Sequence, residues 1–166
     1  MTSTYSRIMP SLPGTPKSHA ERNAQAHVDE IVAAFGLHNL AGASTDIDRA
    51  DIGVDMVSLI GELSWNAGDG AMALRDAIEQ HCQDKPLSFR RHGYSDDLWN
   101  DSAWVTEYVE ICLTTGGPAL FLHVDPQDWS VSIAFQDWGT QRQYLPLSPQ
   151  ETEALQWFVC LLGIDA

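Results

Sequence analysis

The spacing of apolar residues changes at Pro86, and this change constrains the fold more than any other feature of the sequence. Before Pro86 the apolar residues recur at helical intervals, whereas Leu87 and Phe89 begin an alternation that is typical of strands. Helices followed by a run of short strands indicate an α+β architecture. Because 166 residues are enough for one hydrophobic core, we predict a single α+β domain.

The region 18–84 is predicted to be helical because its apolar residues recur every three to four positions. The first helix begins at Ser18, which has capping-box spacing with Glu21, and Gly36 is expected to end it. The helices expected in this region cover residues 18–36, 51–63 and 71–84, with a connection over 38–50. Residues 1–17 contain three prolines and no apolar period, so we expect a flexible arm before the domain, which spans 18–166.

The region 86–145 is predicted to form an antiparallel β meander. Its strand candidates cover residues 87–92, 108–113, 119–124 and 130–135, each bounded by residues that favour turns. Residues 93–102 are expected to form a polar, acidic loop. A C-terminal helix over 148–163 is indicated by an N-cap serine, a proline at the first helical position and an acid two residues later. This helix is expected to pack on one face of the sheet.

The net charge of −14 is concentrated in the second half of the chain. Residues 93–166 contain 11 acidic residues, and Arg142 is their single Lys or Arg. Such a field repels nucleic acids and anionic lipids and attracts basic protein surfaces. We therefore expect no direct nucleic-acid or membrane binding, and a basic protein partner instead. The polar N-terminus and the short apolar runs predict a cytoplasmic protein.

Two motifs resemble those of small acidic proteins found on phages, prophages and plasmids. The motifs are TGGPA at 115–119, in a predicted hairpin, and QDWGT at 136–140, at a predicted strand end. The resemblance covers residues 86–140 and also includes the Pro-Leu-Ser that opens the first strand. It implies a mobile-element protein in a bacterial host cytoplasm and implies no particular activity.

Tryptophans alternate with acids in the predicted acidic loop, a combination suited to a basic partner through ion pairs and cation–π contacts. The residues predicted to bind the partner are Asp96, Asp97, Trp99, Asp101 and Trp104. With the charge and the resemblance, this pattern predicts a non-catalytic counter-defence inhibitor of the anti-CRISPR or antirestriction type. Such a protein would bind a basic surface of a host nuclease, CRISPR effector or other nucleic-acid-handling protein.

A small-molecule or nucleotide-binding protein, a sequestering protein or an enzyme is the alternative. Its pocket would lie where the TGGPA turn meets the QDW strand end, because glycines admit a ligand to the backbone and a Trp ring can stack on it. The residues of this candidate site are Thr114, Thr115, Gly116, Gly117, Asp137 and Trp138. A third hypothesis is a structural or chaperone-like subunit that self-associates, with a homodimer as the simplest assembly.

The sequence indicates no catalytic residue set, metal or cofactor. No Gly-x-Ser-x-Gly motif is present, and the histidines do not occur at metal-ligand spacing. The candidate ligands for a metal site are the histidines His81, His92 and His123, together with Asp125. The pattern favours a binding protein over an enzyme.

Overall fold

The fold is that of an α+β domain, as the sequence predicted. The structure is a computed structural model that describes residues 18–43, 59, 63, 70–95, 104–115 and 118–164. In chain order its elements are α1 (His19–Ala43), α2 (Gly70–Gln83), β1 (Ser88–Ser95), β2 (Trp104–Thr114), β3 (Ala119–Val124), β4 (Val131–Gln136), β5 (Gln143–Leu145) and α3 (Pro149–Leu161). The predicted arm over 1–17 lies outside the described residues.

The five strands form one antiparallel sheet in the order β1-β2-β3-β4-β5, which confirms the predicted meander. Alternation along each strand directs one set of side chains into the core with the helices, as Ile111, Leu122 and Ile133 show. The opposite set includes Glu110 and its cross-strand partner His123. We call the face that carries this second set the open face, because no described helix contributes to it.

Helix α1 packs against both α2 and α3 and contacts the β4–β5 side of the sheet. The predicted end at Gly36 is wrong, and so is the start of a connection at residue 38, because α1 continues to Ala43. Leu37 and Ala41 carry the apolar face onward and are both buried. Their burial outweighs the cost of about 1 kcal/mol for a glycine inside a helix.

The predicted helix over 51–63 lies mostly outside the described residues. Leu59 and Leu63 are described, and both are buried in the core. The Leu63 N–H donates to the Leu59 carbonyl oxygen at 3.2 Å, which is the hydrogen bond of one helical turn. The predicted third helix is confirmed as α2, whose buried residues include Leu74 and Ile78.

The C-terminal helix α3 begins where the sequence predicted. Ser148 is its N-cap, Pro149 occupies the first turn, and Glu151 closes a capping box with Ser148. The Ser148 N–H donates to Glu151 Oε2 at 2.6 Å, and the Glu151 N–H donates to Ser148 Oγ at 3.3 Å. The buried side chains of α3, which include Leu155 and Phe158, join the core under the sheet.

Strands β1 and β2 are longer than predicted and extend past the rest of the sheet. The last residue of β3, Val124, pairs with Val109, but β1 and β2 continue pairing as far as Ser95 and Trp104. We call His92–Ser95 and Trp104–Tyr108 the hairpin extension. The expectation that Gly93 begins a loop is wrong, because the backbone there pairs across a β-bulge with Thr106. Ladder pairing uses backbone groups, so polar side chains do not prevent it.

Candidate functional site

The hairpin extension positions the predicted partner-binding residues. The connection over 96–103 joins its two paired ends, Ser95 and Trp104. Asp96, Asp97, Trp99 and Asp101 belong to this connection and lie outside the described residues. Trp104 was predicted to lie between the loop over 93–102 and the strand over 108–113, but it is the first residue of β2, and 47% of its surface is exposed.

Exposed aromatic and acidic side chains accompany Trp104 on the hairpin extension. Tyr94 lies on β1 with 49% of its surface exposed, and Glu107 on β2 is also exposed. The turn between β3 and β4, which contains Asp125 and Asp128, lies toward the same end of the sheet. Both carboxylates accept backbone hydrogen bonds, from Gln127 N–H at 2.7 Å and Ser130 N–H at 2.8 Å. This end of the sheet therefore combines acids with exposed rings.

The opposite end of the sheet holds the predicted small-molecule site. Gly116 and Gly117 lie outside the described residues. Thr114 is described, and its hydroxyl donates to the Pro118 carbonyl at 3.0 Å, so it closes the β2–β3 connection. Trp138 is 82% exposed and therefore is not a core residue.

A shallow cavity of about 110 Å³ lies beside this strand end. Its lining residues are Ser18, Ala20, Phe135, Asp137, Thr140, Gln141 and Gln143. The cavity includes the predicted Asp137 but neither Thr114 nor Thr115. Its volume is well below the roughly 300 Å³ at which small-molecule pockets begin. The cavity suits a few water molecules better than a nucleotide.

The open face carries a polar cluster that the sequence did not predict, centred on Glu110. Only 5% of Glu110 is exposed. Arg142 Nη1 donates to Glu110 Oε2 at 2.6 Å, and His123 Nε2 lies 3.1 Å from the same oxygen. His92 Nε2 lies 3.8 Å from Oε1 and has no hydrogen-bond partner in the described part of the chain. The Glu110 carboxylate thus lies beside side chains from β1, β3 and the segment before β5.

Aromatic rings surround this cluster. His92 stacks on Tyr108 with ring centroids 4.5 Å apart. The ring centroids of Tyr108 and His123 lie 5.0 Å apart. The Arg142 guanidinium lies 4.2 Å from the ring centroid of Phe121. These contacts shield Glu110 from water, although no described helix covers this face. We call Glu110, His92, His123, Arg142, Tyr108, Phe121 and Tyr144 the open-face cluster.

The electrostatics of the open-face cluster follow from burial and hydrogen bonding. Burial opposes ionisation of Glu110, but the hydrogen bonds from Arg142 and His123 outweigh it and lower the pKa of this carboxyl. Burial, with the charge of Arg142, lowers the pKa of His123 below its ordinary value of 6.5. At neutral pH the cluster therefore contains an ionised carboxylate beside a neutral imidazole.

The histidines considered for a metal site separate in the structure. His123 and His92 meet at Glu110, whereas His81 Nε2 lies 3.1 Å from Glu30 Oε1 in the contact between α1 and α2. Within the ranges that the structure describes, no group of three His, Cys, Asp or Glu side chains is arranged to hold a metal ion. The Arg142 guanidinium occupies the cation position beside Glu110 instead.

Sequence reasoning missed Glu110, Arg142 and Tyr144, although two signals were present. Arg142 is the only Lys or Arg after residue 92, so the many acids of that region indicate that it pairs with a carboxylate. Glu110 lies between the apolar residues Val109 and Ile111 within a strand, where an acid alternates onto the face opposite the core. The cross-strand register that joins it to His123 is not readable from composition.

We expect the free energy of unfolding to fall as the pH decreases below about 6.5. The pKa values of His27 and His123 are lowered in the folded state, chiefly by burial, so below 6.5 the unfolded chain binds more protons. Urea denaturation between about pH 7.5 and pH 5 measures the effect. His123→Gln should flatten the pH dependence, whereas His19→Gln, at an exposed residue, should leave it unchanged. Equal slopes for both variants and the parent would contradict this assignment.

Comparison with protein-family models, curated proteins and solved structures gives no match for this chain. In the part of the chain that the structure describes, no helix has both the length and the apolar character needed to cross a membrane.

Proposed function

We propose that this chain is a non-catalytic binding protein whose acidic hairpin tip docks on a basic surface of a nucleic-acid-handling protein. The observation that carries the proposal is the hairpin extension, which presents exposed Tyr94 and Trp104 beside the connection containing Asp96, Asp97 and Asp101. Exposed aromatics beside charged residues are characteristic of protein-binding surfaces. The basic residues of DNA- and RNA-handling proteins provide the complementary charge.

The pairing of Arg142 strengthens the charge argument. Arg142 is the single Lys or Arg after position 92, and its guanidinium bonds to buried Glu110. Its charge is thus neutralised within the fold and does not offset the acids at the hairpin end. The acidic field of that end is available to a partner, and it speeds association with a basic surface.

The finer identity of the partner rests on the resemblance to phage, prophage and plasmid proteins. A mobile element benefits from blocking host nucleases, so the proposal is a counter-defence inhibitor of the anti-CRISPR or antirestriction type. The inhibitor would occupy the groove that otherwise holds the phosphate backbone. Binding of this kind weakens as salt screens the charges.

The test is capture of partners by a tagged protein from a bacterial host, followed by mass spectrometry. A nuclease or CRISPR effector should be recovered at about 0.1 M salt and lost at about 1 M, where the screening length falls from roughly 10 Å to 3 Å. The purified partner should lose nuclease activity when this chain is added at low salt. Recovery that does not depend on salt would contradict electrostatic docking.

A charge-matched pair of variants separates the hairpin tip from the net charge. One variant replaces Asp96, Asp97 and Asp101 with Asn, and the other replaces three exposed acids of the helical region, Asp29, Asp76 and Asp84, with Asn. Both change the net charge by the same amount. The tip variant should lose at least about tenfold in affinity, because rim charges act on encounter and register. Equal losses in both variants would show that only the overall charge matters.

A further inference from the structure

The open-face cluster contains a carboxylate, an imidazole and a hydroxyl in series, and none of them belongs to the proposed docking surface. Glu110 Oε2 lies 3.1 Å from His123 Nε2, and His123 Nδ1 lies 3.3 Å from Tyr144 Oη. The register explains the meeting, because Glu110 and His123 are cross-strand partners and Tyr144 lies on β5. A carboxylate that orients an imidazole, which in turn contacts a hydroxyl, is the arrangement that activates hydroxyl nucleophiles.

The contacts of His123 with Glu110 and Arg142 indicate its tautomer. An ionised Glu110 can only accept, so the His123 nitrogen that faces it, Nε2, must carry the proton. Arg142 Nη1 can only donate. It lies 2.6 Å from Glu110 Oε2 but 3.2 Å from His123 Nε2, so it bonds to the carboxylate. Nδ1 of His123 therefore keeps its lone pair, and this lone pair points to the Tyr144 hydroxyl.

Two further features keep His123 ready to accept a proton. Burial is the largest cause that lowers its pKa, so the ring is neutral near pH 7. The ring centroid of Tyr108 lies 5.0 Å from that of His123, and Tyr144 meets the imidazole edge-on with the centroids 5.7 Å apart. These two contacts hold the orientation of the imidazole. Tyr144 itself remains 43% exposed, so its side chain is accessible from solution.

We propose that Tyr144 is a nucleophilic tyrosine that accepts an acyl group from an activated ester, with His123 as its base and Glu110 as the positioning residue. Tyr144 Oη attacks the carbonyl carbon and forms the new ester bond, while its proton passes to His123 Nδ1. The bond between the carbonyl carbon and the leaving alkoxide or phenoxide breaks. His123 then returns the proton to the leaving group or to water, so no oxidant or other co-reactant is needed.

The surroundings of Tyr144 favour acyl transfer over phosphoryl transfer. Phosphoryl transfer depends on cationic groups that neutralise charge on the transferred group. The guanidinium of the open-face cluster, that of Arg142, is bound to Glu110 and lies over Phe121. Attack on a neutral carbonyl requires mainly removal of the hydroxyl proton, and His123 is placed to remove it.

The test is site-resolved acetylation of the intact protein by p-nitrophenyl acetate. Tyr94 is a matched internal control, because it is 49% exposed and lies outside the open-face cluster. Peptide mass spectrometry should show Tyr144 acetylated at least about a hundredfold faster than Tyr94, the lower end of what a positioned base contributes. Equal rates at the two tyrosines in the unmodified protein would overturn the proposal without any variant.

Three variants assign the roles. Tyr144→Phe should lower the early release of p-nitrophenolate by one equivalent per chain, and the exposed Cys160 thiol accounts for release that remains. His123→Gln should reduce acetylation of Tyr144 to the rate of Tyr94 and leave Tyr94 unchanged, and Glu110→Gln should give a smaller reduction. Unchanged acetylation of Tyr144 in His123→Gln would show that the network only supports the fold. None of these outcomes bears on partner capture, so the docking proposal is tested separately.

Discussion

Replacement of Arg142 by Met is expected to destabilise the fold by about 3–5 kcal/mol near pH 7, the cost of leaving a buried charge without its partner. The cost is high because the residue left behind is Glu110, whose side chain is only 6% exposed. Met fills a similar volume beside Phe121 but donates no hydrogen bond to the carboxylate. Urea denaturation of the variant and the parent at the same pH measures the difference in the free energy of unfolding.

The sign of the pH dependence identifies the cause of this loss. In the parent, the hydrogen bonds from Arg142 and His123 outweigh burial and keep the pKa of Glu110 below its ordinary value of 4.5. Without Arg142, burial should raise the pKa of Glu110, because the unpaired carboxylate becomes less costly once it binds a proton. The gap in stability between parent and variant should therefore narrow as the pH approaches about 5. A gap that widens on acidification would contradict an unpaired charge as the cause.

Two controls complete the test. Arg91→Met removes the same charge from an exposed side chain of β1 and should change stability by no more than about 0.5 kcal/mol. The double variant Glu110→Gln with Arg142→Met should be more stable than Arg142→Met alone, because the unpaired carboxylate is gone. If the double variant were no more stable, the loss would come from packing on Phe121 instead.

The parts of the fold that local patterns determine were predictable. The capping box at Ser148 and Glu151 depends on residues three positions apart, and the structure confirms it. The meander followed from alternation and turn residues, and the sheet has that order. Where a local preference competes with burial, the prediction failed. Gly36 favours a helix end, but the buried residues Leu37 and Ala41 carry α1 past it.

The open-face cluster was not predictable because it depends on strand register. Glu110 and His123 are 13 positions apart, and Arg142 is 19 positions beyond His123, yet one carboxylate joins all three. No spacing rule relates such residues, since pairing across strands is set by the turns and the core face together. The partner-binding prediction, in contrast, does not depend on strand register. It depends on the composition of a connection between two strands, and the structure contributes the hairpin extension that supports it.

The homodimer stays a prediction. The exposed apolar residues at the edge strand β1 bear on it. Leu87 and Phe89 are both exposed beside the outer edge of the sheet, where β1 has a described strand on one side only. Unpaired edges with exposed apolar residues favour association with another chain. Arg90 and Arg91 lie on the same strand, and their charges oppose close pairing of two identical edges.

Gly93→Ala is expected to disrupt the hairpin extension and cost about 2–3 kcal/mol, the upper part of the usual range for single substitutions. A Cβ at this position would lie 2.0 Å from the Val105 carbonyl oxygen and 3.0 Å from the Thr106 Cα. Both are backbone atoms of the paired strand, so neither can rotate away, and the β-bulge must open. Hydrogen exchange should accelerate at the amides of His92–Ser95 and Trp104–Tyr108 and remain slow in β3 and β4.

Gly42→Ala is the matched control, because the residue is in α1 and no described atom outside the adjoining backbone of that helix lies within 4 Å of the added Cβ. It should leave the fold intact or stabilise it by up to about 1 kcal/mol. Gly93→Ala keeps every acid of the 96–103 connection and alters only how β1 and β2 present it. Loss of partner capture in this variant, with capture retained in Gly42→Ala, would show that docking needs the shape of the hairpin extension as well as its charge. Full capture by Gly93→Ala, with hydrogen exchange confirming that the extension has opened, would show that the acids bind without this scaffold.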